Sequence, residues 1–465
     1  LLQVLVEKEG SGASFSGYLE EIKQKGIPGL VFLDSQGNKD GAAWGTFAGG
    51  DRQAGWPVYD TGIRPPMDMN RIPFPYGFLE MEQLEHRIIY YESSRGCPFS
   101  CAYCLSSIDK SVRFRSLERV KEELSFFLNA RVPQVKFVDR TFNAKKSHAM
   151  AIWKHILEHD NGVTNFHFEI TADLLDEEEL ELISRMRPGL IQLEIGVQST
   201  NTETIRAIRR KMDLKRLRYV VERINAGKNV HQHLDLIAGL PFEDYESFGR
   251  SFNEVYSMEP EQFQLGFLKV LKGSYMHDMV EEYGLKYRGK APYEVLSTKW
   301  LSYSDVLRLK GVEDMVEVYY NSRQFLRTLK LFEQEFESAF AMYEYMAQYY
   351  DEQHLTGLNH SRLARYEIFH DLIGQKVEPE QMGVFEDALM CDLYFRENAK
   401  SRPSFALPQA PYKEELRRMV PELRTLGIQV HAEVLRSGEV LLFDYREKDR
   451  LNHNAKLTVL GRIEA

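Results

Sequence analysis

From residue 87 onward, short apolar runs alternate with stretches in which apolar residues recur every three or four positions. The runs Ile88–Glu92, Gln134–Asp139, Phe166–Thr171, Leu190–Gln198, His231–Ala238 and Gln262–Val270 predict strands. Between them Leu117–Asn129, Ser147–His159, Glu177–Met186, Asn201–Arg210 and Leu214–Ala226 have helical spacing. Strand–helix alternation of this kind predicts parallel βαβ units, and six of them predict an α/β chain with a partial (β/α)6 barrel.

Three of these strands alternate in an uncommon sense. Side chains change face at every residue, so His167, Glu169, Thr171 and Asp173 share one face. Gln192, Glu194, Gly196 and Gln198 share another, as do His231, His233 and Asp235. The opposite faces are apolar: Phe166, Phe168 and Ile170; Leu193, Ile195 and Val197; Leu234 and Leu236. A packed barrel fills its interior with Val, Ile and Leu. Polar inward faces on three neighbouring strands instead predict a hydrated lumen that holds a ligand, because burying carboxylates without partners is costly.

Outside the barrel the pattern changes. Ser14–Lys25 has helical spacing behind a Ser14 cap, Gly29–Leu33 reads as a strand and Ser35–Asn38 as its turn. Prolines 65, 66, 73 and 75 mark an irregular connection. Around 300–395 the chain is helical and rich in Tyr and Phe, either as a cover for the barrel mouth or as an ordinary amphipathic core. After the Pro-containing stretch Ser401–Pro411 a small α/β pattern returns. The expected divisions are 1–80, 81–285, 286–398 and 399–465. A first residue of Leu1, not Met, is expected of a chain that begins within a longer one.

Composition narrows the function classes. A hydrophobic fraction of 43% and a charged fraction of 28% are those of a soluble globular protein, and no apolar run reaches the roughly 18 residues of a membrane span. A net charge of −10 argues against a general nucleic-acid binder. Of the 4 cysteines, Cys97, Cys101 and Cys104 cluster, which fits a metal site in a reducing, cytoplasmic compartment better than a disulfide framework. Cys391, beside Asp392, reads as a small packed residue.

The cysteines follow the first strand in Ser94-Arg95-Gly96-Cys97-Pro98-Phe99-Ser100-Cys101-Ala102-Tyr103-Cys104. A structural zinc site wants four ligands, usually from two C-x-x-C pairs, and only one such pair is present. Three thiolates suit three irons of a 4Fe-4S cube and leave the fourth open. His231 and His233 have the spacing of a metal pair but no third convergent ligand is evident. They read as lumen residues that shape a substrate pocket or partner Asp235 and Glu194.

C-x3-C-x2-C with an aromatic before the last cysteine, here Tyr103, resembles the signature of the radical S-adenosylmethionine (SAM) superfamily. The resemblance implies a 4Fe-4S cluster on Cys97, Cys101 and Cys104 whose open iron chelates the methionine amine and carboxylate of SAM. It implies one-electron cleavage to a 5′-deoxyadenosyl radical, with electrons from an external donor such as flavodoxin or ferredoxin. Phe168-Glu169-Ile170, Glu194–Ser199 and Asp235–Pro241 resemble segments of the subgroup that includes oxygen-independent coproporphyrinogen dehydrogenase. That resemblance implies SAM contacts from Glu169, Glu194, Gln198, Asp235 and Arg210, and from Asp139 at the end of the second strand. The segments Glu9–Gly12, Ile27–Leu30 and Arg71–Pro75 resemble the end of the cobalamin-binding domain that precedes many such barrels, although its D-x-H-x-x-G motif is absent. Phe385–Leu393 and Leu442–Arg446 resemble an uncharacterised extension of a cobalamin-linked subgroup. Three readings are open: a SAM-cleaving enzyme on an unknown substrate, a cobalamin-dependent radical SAM methyltransferase, and a non-catalytic zinc or scaffold protein.

Overall fold

The computed structural model describes residues 87–463 apart from 422–425 and 450, residues 64–78, and a few short pieces nearer the N-terminus. The chain divides into two compact units, Leu1–Ile72 and Pro73–Ala465. In the first, Val31–Leu33 pairs antiparallel with Val58–Asp60, within the strand expected at Gly29–Leu33. The helix expected at Ser14–Lys25 (its last residue excepted), the turn Ser35–Asn38 and the segment Glu9–Gly12 lie outside the described residues.

The second unit is built on six strands, β1 (Ile89–Tyr91), β2 (Gln134–Phe137), β3 (Asn165–Ile170), β4 (Ile191–Gln198), β5 (His231–Ala238) and β6 (Gln262–Phe267). All pair in parallel and in chain order, giving one sheet β6-β5-β4-β3-β2-β1. This is the partial barrel expected from the alternation. Its connecting helices are α1 (Leu117–Asn129), α2 (Lys146–Glu158), α3 (Glu177–Ser184), α4 (Thr202–Ala207), α5 (Leu214–Asn225) and α6 (Tyr245–Tyr256). Short polar residues start them: Ser116, Asn201, Asp213 and Asp244 each cap a first turn, and Asp176 with Glu179 forms a capping box.

The apolar strand faces meet these helices. Phe166, Phe168, Leu193, Ile195, Val197 and Leu234 are fully buried. Phe168 lies between Phe137 and Phe142, with ring centroids 4.5 and 4.3 Å away, and Trp153 of α2 closes the cluster. Burying one such ring stabilises the fold by about 2–3 kcal/mol.

Several elements are shorter than the spacing implies, and two of these matter for the site. The helix expected over Asn201–Arg210 ends at Ala207 because Arg209 is left-handed, at φ 55°. That turn brings Arg210 back toward the strand ends. The sixth strand stops at Phe267, beyond which Leu268 and Val270 exchange backbone hydrogen bonds with Val295 and Tyr293 of a returning loop.

The Tyr- and Phe-rich segment forms α7 (Tyr303–Met315), a π turn (Val316–Asn321), α8 (Leu326–Phe332), α9 (Ala339–Glu352), α10 (Arg362–Gly374) and α11 (Met382–Arg396). It packs on the barrel's flank: Phe340 meets Phe248 and Phe252 of α6. The Asn321 side chain accepts from Phe263 N at 2.9 Å and donates to Phe263 O at 2.9 Å, so an amide borders the open edge of β6. At the other edge the Tyr76 hydroxyl accepts from Tyr90 N at 3.2 Å and donates to Tyr90 O at 2.7 Å. These contacts place the segment beside the sheet, so the cover expected over the mouth is not where its packing falls. A short helix, α12 (Lys413–Met419), and an antiparallel meander, β7 (Val430–Val434), β8 (Glu439–Asp444) and β9 (Lys456–Arg462), complete the unit. Leu441 and Phe443 share a core with Phe385 and Leu389 of α11. Among the described residues, no helix is long and apolar enough to cross a membrane.

Glu243, fully buried after β5, joins two strand ends. Its Oε1 accepts from Ser199 Oγ at 2.7 Å and Ser251 Oγ at 2.9 Å, while Oε2 has no partner. Burial pushes its pKa from the ordinary 4.5 up to about 7. Between those values the folded state keeps a proton that the unfolded state loses, so this group's contribution falls as pH rises through the window. Glu243→Gln should remove on the order of 2–3 kcal/mol of that pH dependence, measured as urea stability at about pH 5 and pH 8. An unchanged slope would refute the assignment.

Candidate functional site

The chain leaves β1 through Ser93 and Ser94 and enters the cysteine loop, which a two-residue ladder between Ser94–Arg95 and Arg113–Phe114 closes. Gly96 sits at φ 102°, and a Cβ there would stand 2.1 Å from the Ser111 carbonyl oxygen, so the turn needs glycine. Ala102 anchors the middle of the loop: its N–H donates to Ile208 O at 2.9 Å and its carbonyl accepts from Met276 N at 2.8 Å.

Asp139 holds the loop's start. Its carboxylate accepts from Ser93 N at 2.9 Å, Ser93 Oγ at 2.7 Å and Ser94 Oγ at 2.6 Å, with no exposed surface. Burial raises its pKa to about 6, partly offset by those three donors. Asp139 therefore does not line the cavity. Where a direct SAM contact was expected of it, the structure places this side chain against Ser93 and Ser94, where it positions the loop.

All three loop cysteines open onto one cavity with about 740 Å³ of free space counted to its mouth. Tyr103, Glu169, Glu194, Gln198, Arg210 and Asp235 line the same space. The structure thus brings together every expected site residue but Asp139. Thr171, expected on the inward face of its strand, joins the lining, as do Arg140 and Thr141, which the sequence reading did not single out. They follow directly on β2 and β3, at the strand ends where parallel sheets place ligands, and that position is the signal that was available.

Two backbone irregularities aim side chains at the cavity. A register shift between Gly196 and Gln198 leaves Gln198 left-handed, at φ 73°. Gly196 makes room for the result, since a Cβ there would stand 2.1 Å from Gln198 Nε2. The Arg210 guanidinium donates to Gly196 O through Nη2, and its Nη1 reaches Cys101 Sγ at 3.8 Å and Tyr103 Oη at 3.5 Å. Burial raises the Cys101 thiol pKa and Arg210 opposes that shift, so the arginine favours the thiolate that metal binding requires.

Opposed charges divide the lumen. The His167 imidazole, 2.9 Å from Glu194 Oε2, and Lys136 Nζ at 3.2 Å outweigh burial and hold the Glu194 pKa down to about 2. Burial and the Glu194 charge raise the Glu169 pKa, and burial likewise raises that of Asp235. Lys136, which shares the inward parity of β2, went unread because that strand carries only one strongly polar inward residue.

The donor set distinguishes a cluster from a single ion. Tetrahedral zinc with bonds of about 2.3 Å brings its sulfurs to within roughly 4 Å of one another. Among the described residues, the trio whose ligand atoms all lie within 4.8 Å is Glu194, His233 and Asp235, so the three sulfurs are spread more widely. All are free thiols, and Cys391 is buried in the helical core with its pKa pushed up to about 12 by burial. Three soft thiolates that open onto one cavity suit three corners of an iron–sulfur cube.

Two family models match the chain: the radical SAM superfamily over residues 91–255, and a family described as "Protein of unknown function (DUF4080)" over 281–435. The cobalamin-dependent radical SAM methyltransferase TokK of Streptomyces tokunonensis is 26% identical over 215 residues, covering 44% of this chain and 31% of that protein. The oxygen-independent coproporphyrinogen III oxidase of Pseudomonas aeruginosa is 24% identical over 180 residues, covering 39% of this chain and 37% of that protein. Among solved structures, TsrM of Kitasatospora setae, with cobalamin and a [4Fe-4S] cluster bound, aligns at a TM-score of 0.43 and 13% identity, covering 57% of this chain and 61% of that one. The chain thus spans about a third of the length of those two curated relatives. It carries a radical SAM domain, of an enzyme superfamily that uses a 4Fe-4S cluster and SAM.

Asp139→Ala should strip the cysteine loop of its clasp and cost about 3 kcal/mol of stability, because buried donors lose a charged acceptor. Iron retained after anaerobic reconstitution should fall with it, whereas Asp139→Asn should keep part of both. Full iron loading in Asp139→Ala would remove the positioning role.

Proposed function

We propose that this chain reductively cleaves SAM and directs the resulting radical at a second substrate. The observation that carries this reading is the common cavity of the three cysteines and the polar ends of β3, β4 and β5. Bound there, the cluster supplies a single electron and SAM supplies the 5′-deoxyadenosyl group. Cys97, Cys101 and Cys104 hold the cluster as thiolates, and Arg210 offsets their charge. Glu169, Gln198 and Asp235 offer carboxylate and amide groups to the ribose hydroxyls and methionine ammonium, and Tyr103 walls the space beside the last cysteine. Arg210 Nε, buried without a partner, is available to a carboxylate. Glu194, already engaged by His167 and Lys136, contacts the same ligand from the lumen side.

In this reading residues 81–285 form the catalytic barrel, and 286–398 with 399–465 form its extension. Residues 1–80 are proposed as the end of a cobalamin-binding-like domain. A single cysteine trio implies an external electron donor of the flavodoxin or ferredoxin class, and oxygen-sensitive chemistry on free thiols suits the cytoplasm. The second reading, cobalamin-dependent methyl transfer, is favoured by the likeness to TokK.

Anaerobic reconstitution with iron and sulfide should give a brown protein that forms 5′-deoxyadenosine from SAM and dithionite. Cys101→Ala should lose cluster loading and reduce that product by on the order of 100-fold or more, because two thiolates do not retain the cube. One bound zinc with no sulfide would sink the proposal. S-adenosylhomocysteine formed alongside 5′-deoxyadenosine, only with cobalamin present, would select the methyl-transfer reading.

A further inference from the structure

The cavity has a floor that the cysteines do not touch. Glu194 on β4 stands opposite His233 on β5, and Gly196 opposite Asp235, so the register places three ligand-bearing side chains side by side. One ligand atom from each of Glu194, His233 and Asp235 lies within 4.8 Å of the others. Of the spaced pair His231 and His233, His233 alone takes part, and its convergent partners are Glu194 and Asp235.

The orientation of the imidazole is the second observation. His233 is 6% exposed, and its Nε2 lies 2.9 Å from Asp235 Oδ1. The two atoms stand at ion-pair distance, yet neither has an aligned hydrogen-bond partner. His167 Nε2, 6% exposed, also lacks an aligned partner at 2.9 Å from Glu194 Oε2, although that oxygen accepts from Lys136 Nζ, so the unbonded pair is His233 with Asp235. A buried imidazole nitrogen beside a carboxylate, with neither bonded, is a costly arrangement that a bound cation would relieve. Lys136 and His167 both meet Glu194 at Oε2, which leaves Oε1 to the lumen.

Charge agrees with geometry. Glu169, Glu194 and Asp235 gather around this point, and Lys136 is the cation paired at Glu194, with exposed Arg140 further out at the lining. We propose that Glu194, His233 and Asp235 form a second metal site, for a divalent first-row transition ion with mixed nitrogen and oxygen ligands. Such a donor set suits Mn(II), Fe(II), Co(II) or Zn(II) better than the all-oxygen shells of calcium or magnesium. The ion presents its remaining coordination positions to the cavity, where an oxygen or nitrogen of the second substrate can bind. The site shares Glu194 and Asp235 with the cofactor reading, while His233 belongs to the metal site alone.

The test uses the full chain with Cys97, Cys101 and Cys104 replaced by alanine, stripped with chelator and titrated anaerobically with Co(II). One equivalent should bind, with visible d–d absorption free of thiolate charge-transfer bands, and should raise Tm. His233→Ala and Asp235→Asn in that background should each weaken binding by on the order of 100-fold. Lys376→Ala, on the helical extension, should leave affinity unchanged. If His233→Ala does not fold, Glu194→Gln provides the same readout, because it keeps the shape and removes a ligand. Absence of saturable Co(II) binding, or equal affinity in the ligand variants, overturns the proposal. Both outcomes are independent of SAM cleavage, which is read on the cysteine-intact protein.

Discussion

A carboxylate with no exposed surface is costly unless donors surround it, and Asp139 meets that condition only when Ser93 and Ser94 are in place. The demand runs in both directions. The serines end β1 and begin the cysteine loop, while the aspartate ends β2, so satisfying one buried charge fixes the loop to its neighbouring strand. Ala102 then ties the far side of the loop to Ile208 and Met276. With both sides fixed, the three sulfurs have a set position over the sheet. Arg210 can reach Cys101 because Arg209 turns the chain back at the end of α4.

The sheet itself separates two environments. Its convex face buries Phe166, Phe168, Leu193 and Ile195 under the helices and supplies the apolar burial that holds the barrel. The concave face gives up that contribution to carry His167, Glu169, Glu194, His233 and Asp235. These groups partly neutralise one another, and their residual mismatch is concentrated where ligands are expected to sit. Stability and chemistry therefore occupy opposite sides of the same strands.

Much of this was legible from period alone. Short runs between helically spaced stretches located all six strands, and a reversed repeat of two in three of them pointed to the lumen, because the pleat makes face and parity equivalent. Asp139 shares parity with buried Phe137, and its bonds to Ser93 and Ser94 depend on a neighbouring strand that its own stretch of sequence does not contain. Gln198 lines the cavity, but the bulge that aims it depends on register, which no single strand contains. The same is true of the Glu194–His233–Asp235 trio, whose members lie on two strands and meet only through pairing. The helix after β4 ran too long because Ile208 continues the apolar period, and nothing local announces the left-handed Arg209.

An open sheet has two margins, and each here is closed by one polar side chain that answers both the N–H and the C=O of a single residue. Tyr76 does so at Tyr90 and Asn321 at Phe263. Each is a forgery of one rung of a missing strand, offered by a group that cannot propagate the ladder. The sheet thereby stops at six strands without recruiting a seventh from another molecule. The segments before and after the barrel thus act as guards against self-association, and a barrel cut free of them would present two adhesive borders to its own kind.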